Sequence, residues 1–501
     1  MANREWQRHF WRNTGTNYLR TILRLGSGLI LFRLTFQYLS TEAFGFYSLL
    51  WSLFGYTILL DFGLGFTAQK AVAEHSANHQ TDRLNQLLST IFWSFAAVGG
   101  ALLIVFLAGK PLFLKWTHVD PAHWDSFGHA YVIFFCAMAI AFPLGIFPEL
   151  LRGLQRIDLA NWLVIGSTVV NLGLMAWGLL HGWSLPTIVL ISVATTVAPN
   201  ALAWFMVMPR IPGISLHPRH YRFSAVRGVL SFSLVAYLIT FTNLIMARTD
   251  QAVISFSIGV GFIALYQAGY KVSEMFGLFS VQMQDALTPA AAQMHIQNDQ
   301  AGIRDLLIKS SSFTLLLTTP LYALSAAYLT PLVKILTGLD ELEPDTFWVG
   351  QALLLATYSS LITNSCSKRI LMMCGWEKRL LRISLVDAVA NLVLSLVLVH
   401  QLGVLGVALG TMIPTVLVGW LWVLPLTSRF AETGFFRLLA EIWGPVLWPL
   451  AAGLGVLAAL IGFAPFPPDG GFLDCVWRGL LVIAPVGLLG RSTFKALRAS
   501  G

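Results

Sequence analysis

The stretch Val169–Leu185, VVNLGLMAWGLLHGWSL, reappears in the second half of the chain as Val389–Leu405, VANLVLSLVLVHQLGVL. Asn171-Leu172 matches Asn391-Leu392, and Leu174 matches Leu394. Further on, Thr195 and Pro199 parallel Thr411 and Pro414, and Pro209 parallels Pro425. A weaker echo links Phe44–Thr67 to Ile263–Thr288. Any two Leu/Val-rich helices look alike, but a shared register of asparagine and proline is not a matter of composition. The copies lie six apolar runs apart, so both run the same way through a bilayer. Two six-helix halves of equal orientation are expected to be related by an axis along the membrane normal, with a cavity between them.

Outward from the repeat, about fourteen apolar segments are long enough to span, near 16–38, 44–69, 87–107, 129–148, 159–180, 185–208, 225–246, 253–284, 307–329, 348–373, 383–400, 403–424, 442–463 and 475–490. The 501 residues are 56% hydrophobic and 11% charged, against roughly 25% charged in soluble domains. The expected fold is all-α and polytopic, with two six-helix lobes (16–222 and 223–426) and two further helices with a tail over 427–501. The first fifteen residues, in which Arg4, Arg8 and Arg12 alternate with Trp6, Phe10 and Trp11, read as a basic helix on the cytoplasmic surface. With the N-terminus inside, inner loops and tails hold about 23 of the 32 Lys and Arg, which places both termini in the cytoplasm. The densest inner segments are Pro209–Arg227 and Lys368–Arg382. The formal charge of +8 is spread over short loops without base-stacking aromatics and gives no sign of nucleic-acid binding.

Charges inside apolar runs are costly and mark pathways or pairs, at roughly 2.5–3.5 kcal/mol each at mid-depth on insertion scales. Asn13, Asn17, Arg20 and Arg24 are spaced four, three and four apart, so they share one helix face. The two arginines either snorkel to lipid phosphates or line a wet cavity. Arg33 reads as an outer anchor. Asp61, in LLDFGLG, either pairs with an intramembrane cation or couples protons, or else caps a turn near the inner interface. Arg152, in PELLRGLQRID, belongs to a positive-inside connection or a gate. Arg248 and Asp250 flank the outer end of the seventh span, and Gln267, Lys271 and Glu274 share a face. Lys271 and Glu274 either neutralise each other, or Glu274 holds Lys271 toward an anion. Cations contributed by both halves would suit a phosphate or pyrophosphate.

The sequence offers little for chemistry. His75 and His79 have a metal-like i, i+4 spacing without a further ligand, and Cys136, Cys366, Cys374 and Cys475 read as packing residues, so no metal site is expected. There is no GxxxxGK[ST] loop and no Ser/His/Asp or paired-carboxylate arrangement, which argues against an enzyme. The longest outer connections are about twenty residues, too short for a separate catalytic fold.

TEAFGFYSLLWSLFGYTILLDFGLG, PELLRGLQRIDLAN, RTDQAVISFSIGVGFIALYQAGYKV with the later ALTP, and ANLVLSLVLVHQLGVLGVALGT, taken in order, resemble the Wzx-type polysaccharide biosynthesis flippases. These belong to the multidrug/oligosaccharidyl-lipid/polysaccharide exporter superfamily. The resemblance covers about 400 residues and implies a fourteen-helix, two-lobed transporter of the bacterial inner membrane working by alternating access. The implied substrate is an undecaprenyl-pyrophosphate-linked oligosaccharide, with a polymerase and glycosyltransferases as partners beside membrane lipids. Arg20, Arg24 and Lys271 match by location the cationic cavity of such proteins. Asp61, Glu274, Arg248, Asp250 and Arg152 are the candidates for coupling or gating, with no cofactor beyond a coupling H+ or Na+. Two other functions stay open. One is a drug or cation antiporter of the same superfamily, with Asp61, Glu274 and Asp387 as its carboxylates; the other is a non-transporting component of polysaccharide assembly.

Overall fold

The computed structural model describes residues 2–56, 61, 63–78, 81–224, 234–285, 287–467 and 470–499. Among the described residues the chain is built from helices, as lipid demands: a backbone out of water must satisfy its polar groups within its own segment. The chain divides into two compact units, residues 1–237 with 259–261, and residues 238–258 with 262–501.

The first unit opens with α1 (Ala2–Tyr38). Residues 1–15, expected as a surface helix, are helical from Ala2 and continue into the span without a break. Ser40 caps α2 (Thr41–Gly55), its hydroxyl accepting from Ala43 N at 3.2 Å. Then follow α3 (Leu64–Asn78), α4 (Thr81–Trp116), α5 (Trp124–Leu144), α6 (Ile146–Gly153), α7 (Ile157–Leu180) and α8 (Leu185–Val207). Their buried core includes Val72, Leu88, Ile91, Ile146, Phe147, Leu150, Leu151 and Val207. At Gly153 a Cβ would lie 2.5 Å from the Gln69 carbonyl, so only glycine lets α6 approach α3 this closely.

The second unit contains α9 (Leu234–Ser257), α10 (Phe262–Asp285), α11 (Leu287–Ile296), α12 (Gln300–Ala327), α13 (Leu329–Thr337), α14 (Pro344–Ser360), α15 (Cys366–Met373) and α16 (Glu377–Val418). It ends with α17 (Leu424–Phe430), α18 (Phe435–Phe463) and α19 (Phe472–Ala499). Two π-helical turns interrupt it, Leu361–Ser365 between α14 and α15 and Gly419–Val423 between α16 and α17. Helix α16 is two passes: it breaks at Gly403, where φ 57° and ψ −135° suit glycine alone. Its halves touch at Gly410, where a Cβ would lie 2.4 Å from Ser395 Oγ.

Seven helical stretches among the described residues are long and apolar enough to cross a membrane, and the α12–α13 pair, bent by 81°, makes an eighth. More polar helices such as α1, α9 and α10 fall outside that measure, and the helix order accommodates the fourteen passes expected from the sequence.

Candidate functional site

The first unit gathers cations where α1 meets α6 and α7. Asn161 on α7 donates to Thr16 Oγ1 at 3.0 Å and to Asn17 Oδ1 at 2.9 Å, which fixes the face of α1 that carries the arginines. One turn on, Arg20 is half-buried and within electrostatic reach of Arg24 and of Arg152 on α6. Arg24 is exposed. Arg152 is a part-buried helical residue hydrogen-bonded to Glu149. Asp61 accepts from Gly65 N at 3.0 Å and so caps the first turn of α3; it sits beside Glu149, both carboxyl side chains lying close to Gly65. Arg33 is exposed.

In the second unit Lys271 and Glu274 pair at 2.7 Å on α10, one turn apart as their spacing requires. Arg248 is half-buried on α9. Asp250, two residues on, points into a pocket of 250 Å³ lined by Asp250, Tyr266, Asn364, Lys368, Asp387 and Thr411 among others. Asp250 Oδ2 accepts from Tyr266 Oη and, at 2.9 Å, from Thr411 Oγ1. Thr411 in turn accepts from Asn391 Nδ2 at 2.9 Å. Several buried oxygens are left over: Asp250 Oδ1, Asn391 Oδ1, Asn364 Oδ1 and both oxygens of Asp387 have no hydrogen-bond partner among the described residues. All are acceptors. Buried polar atoms are normally satisfied, so a cluster of unmet acceptors around two carboxylates is suited to a proton or a small cation.

The repeat seen in the sequence is a repeat of bonds. In the first unit Asn171 Nδ2 donates to Thr195 Oγ1 at 2.7 Å, the counterpart of the Asn391–Thr411 bond. Tyr47 bonds Ser192 at 2.8 Å, while Tyr266, at the matching place in the weaker echo, bonds Asp250. The two sets end differently. Thr195 donates to its own helix, at the Ile191 carbonyl. In register with Asp250 stands Leu31, packed with Met175, Leu179 and Ile188. One scaffold is polar to the end and the other is closed with hydrocarbon.

A family model described as "Polysaccharide biosynthesis protein" matches residues 10–295, more than half of the chain. The chain belongs to this family. No curated protein matches it. Among solved structures, this polysaccharide biosynthesis protein resembles the lipid II flippase MurJ in an inward closed conformation, with TM-score 0.71, 16% identity, 97% of this chain and 99% of that chain covered. It also resembles an inward-facing multidrug resistance MATE family transporter of the MOP superfamily, with TM-score 0.64, 14% identity, and 83% and 96% covered. A variant of the Vibrio cholerae MATE transporter VcmN matches with TM-score 0.51, 15% identity, and 85% and 100% covered. The chain therefore has the fold shared by these solved structures.

Among the residues singled out in the sequence, the structure brings Arg20 within reach of Arg24 and of Arg152, and Asp250 near Asp387. Lys368, which opens the inner basic segment Lys368–Arg382 in the sequence, lines the pocket of the two aspartates. The signal was available: Ser360, Asn364 and Lys368 are spaced by four, as are Asp387 and Asn391. His75 and His79 lie outside the residues whose side chains are described.

Proposed function

We propose that this protein flips an undecaprenyl-pyrophosphate-linked oligosaccharide across the bacterial inner membrane, from the cytoplasmic to the periplasmic leaflet. The approach of Arg20 to Arg24 and to Arg152 on one lobe carries the reading, because like charges brought together at a membrane helix favour an anion. A pyrophosphate offers oxygens in the planar geometry that guanidinium groups match. Lys271 is the second lobe's candidate cation, with Glu274 holding its ammonium in place. Family membership supplies polysaccharide assembly as the context. The fold shared with the lipid II flippase MurJ supports the movement of a lipid.

The pocket around Asp250 is proposed as the coupling site, for a proton or a monovalent metal cation. It does not suit a drug: 250 Å³ is below the roughly 300–1,000 Å³ of small-molecule pockets. Of the other carboxylates an antiporter would use, Asp61 caps a helix and Glu274 is paired.

The test is complementation of a strain lacking the protein, with surface polysaccharide measured beside the amount of protein in the membrane. Arg24→Ala and Lys271→Ala should each lower polysaccharide at least several-fold at unchanged protein level. Normal polysaccharide in both variants sinks the anion-binding mechanism.

A further inference from the structure

The pocket around Asp250 has a second carboxylate. Asp387 is 0% exposed, and neither of its oxygens accepts a hydrogen bond from the described residues. It stands one turn before Asn391 on α16, so the two residues share a face. Facing the same space is Lys368, which reaches it through an irregular helix. A spacing of four drifts about 40° per step on an α-helix, and the wider π turn at Leu361–Ser365 offsets that drift. Ser360, Asn364 and Lys368 therefore all line the pocket. A Cβ on Gly419 would lie 2.4 Å from Thr363 Oγ1, so the second π turn packs directly against the first and holds it in this shape.

The charges in this space are few. Asp250 comes from α9, Lys368 from α15 and Asp387 from α16; α10 adds the phenols of Tyr266 and Tyr270, and α14 adds no charge. Arg248 on α9, Lys271 and Glu274 on α10 and Arg369 on α15 lie on the same helices without lining it, with Arg248 and Glu274 in electrostatic reach of Tyr270. Among the lining residues, two carboxylates and one ammonium leave one net negative charge. In a water-poor interior that charge is expensive unless a counter-ion accompanies it.

We propose that Lys368 is a tethered cation that serves as the counter-charge of Asp387 and thereby limits the pocket to a single mobile monovalent cation, held at Asp250. The proposal rests on the reading of this pocket as the coupling site and adds what sets its capacity. Lys368 acts here as a specificity-determining residue, by charge rather than by ligating the ion. Without its ammonium the same space would carry two uncompensated carboxylates and would take up two cations. Without the Asp387 carboxylate, Lys368 would neutralise Asp250 itself and displace the mobile ion.

The experiment uses the purified full chain in detergent, with radioactive sodium binding and proton uptake measured on each variant. Wild type should take up one cation per chain. Asp387→Asn should weaken uptake at least tenfold, Lys368→Met should take up a second cation, and Lys368→Arg should behave as wild type. The double variant Lys368→Met, Asp387→Asn restores the charge balance and should return to one cation within about threefold of the wild-type affinity. This rescue separates charge from folding, and a monodisperse gel-filtration profile is required of every variant. Uptake lost in Asp250→Asn but unaltered in Asp387→Asn and Lys368→Met overturns this proposal alone, as does a double variant no better than Asp387→Asn. Uptake that survives Asp250→Asn, or that wild type lacks for both ions, overturns the coupling-site reading and this proposal with it.

Discussion

Arg478 is 3% exposed on α19, and its two terminal nitrogens bond neighbouring protein groups. It donates to the carbonyls of Ala464 and Pro465, the latter at 3.0 Å, and to Tyr328 Oη at 3.3 Å. Ala464 ends α18, where carbonyls have no partner within the helix and the dipole favours a cation. The same side chain lies 5.6 Å from the Tyr328 ring and 5.3 Å from the Phe466 ring. Tyr328 marks the bend between α12 and α13, so one arginine joins the α18–α19 hairpin to that bend. Arg478→Met keeps the length and removes the bonds, and should destabilise the protein by about 2–4 kcal/mol. Thermal unfolding in detergent is the check, and an unchanged midpoint would rule out this role. Nothing in the sequence marked Arg478 apart from Arg33, which the structure leaves exposed. Depth along an apolar run is legible, but what a guanidinium meets there depends on carbonyls from another helix.

Connections are harder to read than spans. Pro209–Arg227 reads in the sequence as one of the densest inner basic segments. Its described part, 209–224, is strapped along α4. Asn85 Nδ2 donates to the Gly213 carbonyl at 2.9 Å, and Asn85 Oδ1 accepts from Ser215 N at 2.9 Å. Ser89 donates to the Ser215 carbonyl at 3.0 Å, Thr90 Oγ1 accepts from Arg222 N at 2.9 Å, and Trp93 Nε1 donates to the Leu216 carbonyl at 2.8 Å. Residues 85, 89 and 93 recur every four along α4, so one helix face provides most of the strap. A polar stripe on an apolar helix was visible, but its partner is backbone, which no side-chain pattern reveals. Asn85→Ala removes two of these bonds and should cost about 2–4 kcal/mol if the exposed groups stay buried. Trypsin, which cuts after Arg219 and Arg222, should then cleave the segment severalfold faster. An unchanged cleavage rate would mean that the strap is held by something other than Asn85.

Across the whole chain, the fold was legible because a bilayer leaves few options and because the repeat carries polar side chains at fixed places. The site was legible only in part. Asp250, Asn391 and Thr411 each stood out, yet their convergence needed three helices, and Lys368 was hidden by the rule that inner loops are basic. Comparison of the lobes turns this into a measurable difference. Asn171→Ala and Asn391→Ala remove equivalent bonds and should lower intrinsic stability alike, by about 1–3 kcal/mol. They should part company when the coupling ion is added. A ligand that binds only the folded state stabilises it by about 2.7 kcal/mol at a hundredfold excess over its Kd. Wild type and Asn171→Ala should show that gain, because the first lobe's Thr195 is satisfied by its own helix and Leu31 stands where the acid would be. Asn391→Ala should lose most of it, because Thr411 and Asp250 lose the group that orients them. Denaturation curves of the three proteins, with and without sodium and at two pH values, decide the matter. Equal ion-dependent gains in both variants would mean that the two lobes share the ion and that the asymmetry between Asp250 and Leu31 has no part in coupling.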